Sequence, residues 1–172
     1  EIQNEYHNAT PSFSPDLKTV YFSFNPVLKN KLVLDDSRTN NVQIIRVPLD
    51  GEKPGKPEDL FFADKSYSSG HPAVSTDGKY LYFSSEIPGG KGESDLYRVE
   101  IFGDASFGKV ENLGDQINTS GREMFPFVQG DMLYFSSDGN YGYGGLDVYK
   151  VKINRDGSFG KPTNLGKPVN SE

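Results

Sequence analysis

One segment of about fifty residues is written three times in this chain. A Tyr-Phe pair stands at Tyr21-Phe22, Tyr82-Phe83 and Tyr134-Phe135, in steps of 61 and 52 residues. Asp95-Leu96-Tyr97 returns as Asp147-Val148-Tyr149 and Gly108-Lys109 as Gly160-Lys161, both at a step of 52. A fixed period of this length, dense in short strand signals, restricts the chain to a propeller or a stacked array, because one such unit cannot bury its apolar surface alone. In the first copy 23 residues separate Phe22 from Ile45, where the matching distances from Phe83 to Tyr97 and from Phe135 to Tyr149 are 14. The surplus lies within Pro26 to Asn41, which includes Asp35, Asp36 and Arg38, and is expected in a loop on one face.

Within each copy, short runs rich in aromatic and β-branched residues are bounded by Gly, Pro, Asn or Asp, as strands are. The runs expected as strands include Thr19–Phe24, Val42–Val47 and Leu60–Phe62 in the first unit. The second should hold His71–Ser75, Lys79–Ser85, Asp95–Ile101 and Val110–Leu113. In Tyr80–Ser85 the pleat places Leu81 and Phe83 on one face and Tyr80 and Tyr82 on the other. Both faces are bulky, and a blade sandwiched between blades satisfies them where a sheet with one wet face does not. The expected fold is all-β: about three four-stranded antiparallel blades of a β-propeller, spanning about 9–69, 70–123 and 124–172. Rings take about four to eight blades, so these three belong to a larger propeller, six-bladed or similar. The chain opens on Glu1 with neither an initiator methionine nor a signal peptide, and is expected to be a mature or excised piece. Ile2-Gln3-Asn4 repeats the character of Gln116-Ile117-Asn118 and should join a preceding unit.

Only 34% of the residues are hydrophobic, but 12 Phe and 10 Tyr provide large buried surfaces, and 19 Gly with 11 Pro suit a chain that turns often. The net charge of −6, with 18 basic residues scattered singly, argues against nucleic acid. No apolar run is long enough to cross a bilayer, and the absence of cysteine excludes disulfides and thiolate metal sites.

Asp95 and Asp147 occupy one repeated position. They suit either a carboxylate pair for acid and base work or turn aspartates accepting backbone N–H bonds, and recurrence in successive blades favours the structural role. The loop Asp138-Gly139-Asn140-Tyr141-Gly142-Tyr143-Gly144-Gly145 echoes a calcium loop but lacks the third ligand at Gly142 and the closing glutamate, where Tyr149 stands. Around Gly90-Lys91 a phosphate cradle fails, since Ser85 and Gly92 replace the required glycine and hydroxyl residue. His7 and His71 have neither metal nor triad spacing, and no serine sits in a Gly-x-Ser-x-Gly elbow. His71 aligns with Phe125 before a proline and is expected on an inner strand. Asn8-Ala9-Thr10 and Asn118-Thr119-Ser120 fit the glycosylation sequon. No catalytic residue, cofactor or metal is therefore expected.

Phe13-Ser14-Pro15-Asp16, Leu81-Tyr82-Phe83-Ser84-Ser85 and Asp95-Leu96-Tyr97 resemble the WD40-like, PD40-type propeller repeats related to TolB. More narrowly, Gly121-Arg122-Glu123, Phe125-Pro126-Phe127, Gly144-Gly145-Leu146-Asp147-Val148-Tyr149 and Gly160-Lys161-Pro162 with Asn164-Leu165-Gly166 resemble the propeller segment of OmpA-family envelope proteins of the Bacteroidota, including the type IX secretion component. The first copy departs from the pattern at Gln43 and in its long loop. The resemblance implies a periplasmic, outer-membrane-associated scaffold partnered with a porin-like outer-membrane protein. Peptidoglycan would be bound only through a domain outside these residues.

By antiparallel parity, the loops joining second to third strands share one face with the links between units. Lys91, Arg122, Glu123, Tyr141, Tyr143 and the Pro26–Asn41 loop should converge there, and exposed Tyr and Arg are the types that anchor protein interfaces. The competing bland reading has the tyrosines packing their own loop and Arg122 pairing with Glu123. The expected function is a non-catalytic protein-interaction module. The alternatives are a propeller glycosidase or a hydrolase-gating propeller and, second, a carbohydrate-binding propeller that stacks sugars on Tyr and Phe.

Overall fold

Alternation of bulky residues with turn formers every few positions produces short strands throughout. The computed structural model describes residues 8–29, 31–51, 53–62, 64–103 and 106–172. His7 and Ile2-Gln3-Asn4 lie outside the described residues. The first sheet is built from β1 (Asn8–Phe13), β2 (Thr19–Phe24) and β5 (Gln43–Asp50), with β6 (Lys53–Pro54) and β7 (Glu58–Asp59) both pairing β5. Between β2 and β5, β3 (Val27–Leu28) and β4 (Lys31–Leu32) form a separate two-stranded hairpin. The second sheet runs β8 (Ser69–Val74), β9 (Tyr80–Ser85), β10 (Asp95–Glu100), β11 (Glu111–Asn112). The third runs β12 (Glu123–Gln129), β13 (Met132–Ser137), β14 (Asp147–Lys152), β15 (Thr163–Asn164). Every pairing within these sheets is antiparallel. This is the all-β, bladed architecture expected from the repeats.

The first strands of successive sheets lie against one another, β1 with β8 and β8 with β12, while β7, β11 and β15 make no such mutual contact. The sheets are therefore wedges converging on their first strands. Between the first two, Tyr21 and Ile44 pack with Leu81, Phe83 and Val99. Between the second and third, Tyr82 and Ala73 pack with Leu133, Phe135 and Val151. One face of β9 thus serves each core, and the strand is dry on both sides. A residue such as Tyr82, wholly buried, contributes about 2 kcal/mol or more by removal from water.

Each first strand carries the same irregularity. Register slips between Ala9 and Ser12, Gly70 and Ala73, and Met124 and Phe127. Within the slips, Thr10, His71 and Phe125 adopt positive φ of 50°, 54° and 53°, each directly before a proline. The φ > 0 basin costs a side-chain-bearing residue about 1–2 kcal/mol. The bulge is held across sheets: Ser23 Oγ accepts the His71 amide at 2.8 Å, and the His71 and Phe125 rings lie 4.0 Å apart.

The outer strands are shorter than the sequence suggests. Leu60–Phe62 is not a strand. Leu60 and Phe62 turn into the core, where Phe62 stacks on Phe83 at 4.7 Å, and only Glu58–Asp59 pairs. Val110–Leu113 contracts to Glu111–Asn112 because Leu113 turns inward to the core between the second and third sheets.

Candidate functional site

The face formed by the loops after the second strands and by the links between sheets is shaped by a repeated polar framework. Asp95 is buried and accepts the amides of Lys91 at 2.6 Å and Gly92 at 3.0 Å, together with Asn112 Nδ2 at 2.8 Å. Asp147 accepts the Tyr143 amide and Asn164 Nδ2 in the matching places. These carboxylates point into their own loops, not into a common cavity, so the geometry a paired-carboxylate hydrolase needs is absent at these two residues. In the first blade Gln43 takes this position and reverses the polarity. Its Nε2 donates to the carbonyls of Asp64 and Tyr67, and its Oε1 is buried without a hydrogen-bond partner among the described residues.

Two glycines in each loop are dictated by this packing. A Cβ on Gly90 would stand 2.8 Å from Asp95 Oδ2 and 2.9 Å from Tyr97 Oη, and Gly142 faces Asp147 and Tyr149 in the same way. Gly92 lies against the carbonyls of Thr119 and Gly121 in the next link, as Gly144 lies against that of Ser171. The links themselves are short turns closed by hydrogen bonds that the Asn118 and Asn170 backbone amides donate to Gly114 O and Gly166 O, both at 2.9 Å.

Against this frame the expected interface residues separate. Tyr141 is fully exposed, and its carbonyl accepts the Tyr149 hydroxyl at 2.9 Å, so the loop beneath it is fixed. Tyr143 is partly exposed and carries Lys167 Nζ over its ring at 5.7 Å. With Gly142, Asn164, Gly166 and Glu172, the two tyrosines line a groove of about 510 Å³. Lys91 pairs with Asp115 at 3.1 Å. Arg122 pairs with Asp138 at 2.7 Å and reaches Glu93 at 3.8 Å, not Glu123. The Asp138 hydrogen bond and charge hold the Arg122 guanidinium above its ordinary pKa, and Asp138 is held below its own, first by the Arg122 amide and then by the side chain.

Glu123 corrects the expectation. It is 0% exposed. Its carboxylate accepts Thr119 Oγ1 at 2.6 Å, Ser137 Oγ at 2.7 Å and the Thr119 amide at 2.8 Å, while its own carbonyl accepts Ser84 Oγ at 2.7 Å. The pleat sends neighbours to opposite sides, so Arg122 reaches solvent and Glu123 locks the seam between the second and third blades.

The Pro26–Asn41 insertion is more ordered than a plain loop. Sequence reasoning picked out its charges and missed its leucines: Leu28, Leu32 and Leu34 are 67%, 40% and 50% exposed. The available signal was their spacing around Lys29 and Lys31 in a segment the other copies lack. The asparagines of the two links, Asn118 and Asn170, stand in matching register one 52-residue step apart, but the sequence does not reveal that they brace the third strands.

No family model and no curated protein sequence matches the chain. Solved structures do. TolB from Acinetobacter baumannii superposes with a TM-score of 0.60 at 17% identity, over 93% of this chain and 33% of that one. A TolB-like protein from Agrobacterium tumefaciens gives 0.59 at 22% identity, over 96% and 50%. A puromycin-hydrolyzing peptidase from Mycobacterium tuberculosis gives 0.56 at 17% identity, over 94% and 23%. The chain thus spans between 23% and 50% of the length of these proteins. At such identities the likeness is one of fold, and it agrees with the wedge geometry and the repeats: the three sheets are arranged as β-propeller blades like those of TolB.

Proposed function

We propose that the chain is a non-catalytic scaffold module of a periplasmic, outer-membrane-associated protein of the OmpA-family type. In this reading the face bearing Lys91, Arg122, Tyr141 and Tyr143 holds a protein partner, a porin-like outer-membrane protein. Any peptidoglycan contact is made by a domain outside these residues. The observation that carries the reading is Tyr141. It is fully exposed on a loop fixed through Tyr149 and Asp147, so an anchor of the type common in protein interfaces stands ready without further ordering. The Asp95 and Asp147 carboxylates are meanwhile consumed by loop amides. Replacing Arg122, Tyr141 and Tyr143 together by alanine should weaken capture of envelope proteins in a pull-down while leaving the unfolding midpoint nearly unchanged. Undiminished capture would remove this face from the proposal.

The likeness to a puromycin-hydrolyzing peptidase favours a second reading, a propeller that gates a hydrolase. That reading requires a catalytic domain elsewhere in the protein, and peptidase activity of the full-length protein decides between the two.

A further inference from the structure

We infer that the β3–β4 hairpin of the first blade is a lipid-contacting wedge that seats in the headgroup layer of an anionic bilayer. The inference goes beyond the partner-capture reading and does not rest on it. The hairpin fills the part of the chain that the other two units lack, so the fold itself does not demand it. It is nonetheless rigidly built. The Val33 amide donates to Pro26 O at 2.9 Å. Asn40 Nδ2 donates to Pro26 O at 3.1 Å and Val33 O at 2.7 Å, and Asn25 Nδ2 donates to Asn40 Oδ1 at 2.7 Å. Asp35 closes the base by accepting the Ser37 and Thr39 amides and Asn41 Nδ2. On this frame three leucines are held out in water.

Register decides what such a surface fits. Val27 is opposite Leu32 and Leu28 is opposite Lys31, so aliphatic side chains emerge on both sides of the hairpin. A flat protein patch covers one side of a wedge, whereas acyl chains and headgroups surround it. Composition points the same way. Leucine is under-represented among interface hot spots and lysine is depleted from interfaces. Leucine beside lysine is the pairing of elements that lie at a membrane surface, the lysine stems running along the apolar layer with their ammonium groups in the headgroups.

Charge selects an anionic surface. The chain as a whole carries −6, yet Lys29 and Lys31 sit between the leucines, and among the described residues neither forms an ion pair. The nearby Asp35 carboxylate is turned inward to its own loop. Tyr141 and Tyr143 lie in the corresponding loop of the third blade, on the same face by strand parity.

The test is sedimentation of the 172-residue chain with vesicles of equal parts phosphatidylcholine and phosphatidylglycerol, against vesicles of phosphatidylcholine alone. The chain should partition to the anionic vesicles and be displaced by high salt. Leu28→Ser/Leu32→Ser/Leu34→Ser should lower the partition coefficient by at least about tenfold, because apolar insertion is lost. Lys29→Glu/Lys31→Glu should lower it by about fivefold or more for each lysine. The chain has no cysteine, so Leu32→Cys can carry a polarity-sensitive dye, and its emission should shift to the blue on vesicles while a dye at Asp156→Cys, in a turn of the opposite face, does not shift. Equal partition to the two vesicle types, unchanged binding by a folded leucine variant, or a silent dye at position 32 would each overturn the inference. Partner capture by the leucine variant in a vesicle-free pull-down is scored separately, so the two proposals can fail independently.

Discussion

Asn118 holds both backbone groups of Leu96: its Oδ1 accepts the Leu96 amide at 2.8 Å and its Nδ2 donates to the Leu96 carbonyl at 3.0 Å. Fifty-two residues later Asn170 does the same to Val148, at 2.8 and 3.0 Å. The third strands of the second and third blades are thus sealed by an amide side chain from the link leading out of each blade. The asparagine amide carries an acceptor oxygen and a donor nitrogen side by side, matching the N–H and C=O of one residue.

Asn118→Ala should therefore destabilise the protein by about 1–3 kcal/mol, because the Leu96 amide loses its partner in a fully buried place while the Leu96 carbonyl keeps only the Leu113 amide. Asn118→Asp should cost at least as much, since a carboxylate cannot donate to the Leu96 carbonyl. Asn170→Ala should cost less, because Val148 is only half-buried and water can replace the amide. Urea denaturation of the three variants gives the order.

Gly92→Ala and Gly145→Ala form a matched contrast. A methyl at 92 would lie within 2.5 Å of Thr119 O and closer still to Gly121 O, and both are backbone atoms that cannot swing aside. At 145 nothing stands within 4 Å. The first substitution should lower stability by about 2 kcal/mol or more through forced displacement of the link. The second should stay within about 0.5 kcal/mol. Thermal unfolding followed by near-ultraviolet circular dichroism distinguishes them.

Glu123→Ala removes the acceptor of three hydrogen bonds and leaves the Thr119 amide and two hydroxyls without their partner in the seam. A loss of about 3 kcal/mol or more is expected, and Glu123→Gln should recover part of it by keeping two acceptor lone pairs. Unfolding midpoints unmoved in the alanine variant would contradict the seam described here.

His71 supplies the pH dependence. Burial pushes its pKa below the ordinary 6.5; its Nδ1 is enclosed without a hydrogen-bond partner among the described residues, and its ring lies against that of Phe125. Folded protein therefore binds the proton less readily than unfolded chain. Stability should be flat above the unfolded value of about 6.5 and decline as pH falls below it. The aspartates at 16, 35, 64, 77, 138 and 156 are held below 3.8 by hydrogen bonds and charge, and their contribution is lost only under more acidic conditions. His71→Phe should abolish the decline between about pH 6.5 and 5, as read from denaturation midpoints across that range.

Much of the architecture was legible because a repeat declares its own boundaries. Tyr82 and Phe83 could be assigned to opposite faces from alternation alone, and matching faces implied neighbours on both sides. The site was harder to read. Glu123 and Arg122 are adjacent and both of a charged type, and only the strand's pleat decides which one meets water; the register bulge one residue later hides that phase from sequence. Leu60 and Phe62 have the alternation of a strand, yet they are core residues in a turn, since apolar side chains seek the interior whether or not their backbone pairs. The exposed leucines of the insertion defeated the reading for the opposite reason: no periodicity says that an aliphatic residue will remain uncovered.

The proline after each left-handed residue of the innermost strands has a bearing on solubility. Pro11, Pro72 and Pro126 offer no amide hydrogen along the rim where the wedges meet, and the slip beside each throws the remaining donors out of line. An open row of regularly spaced donors and acceptors there would template pairing with any extended chain. With that row interrupted in every blade, foreign peptides find no continuous ladder to extend, and copies of the protein are spared one route into fibrils.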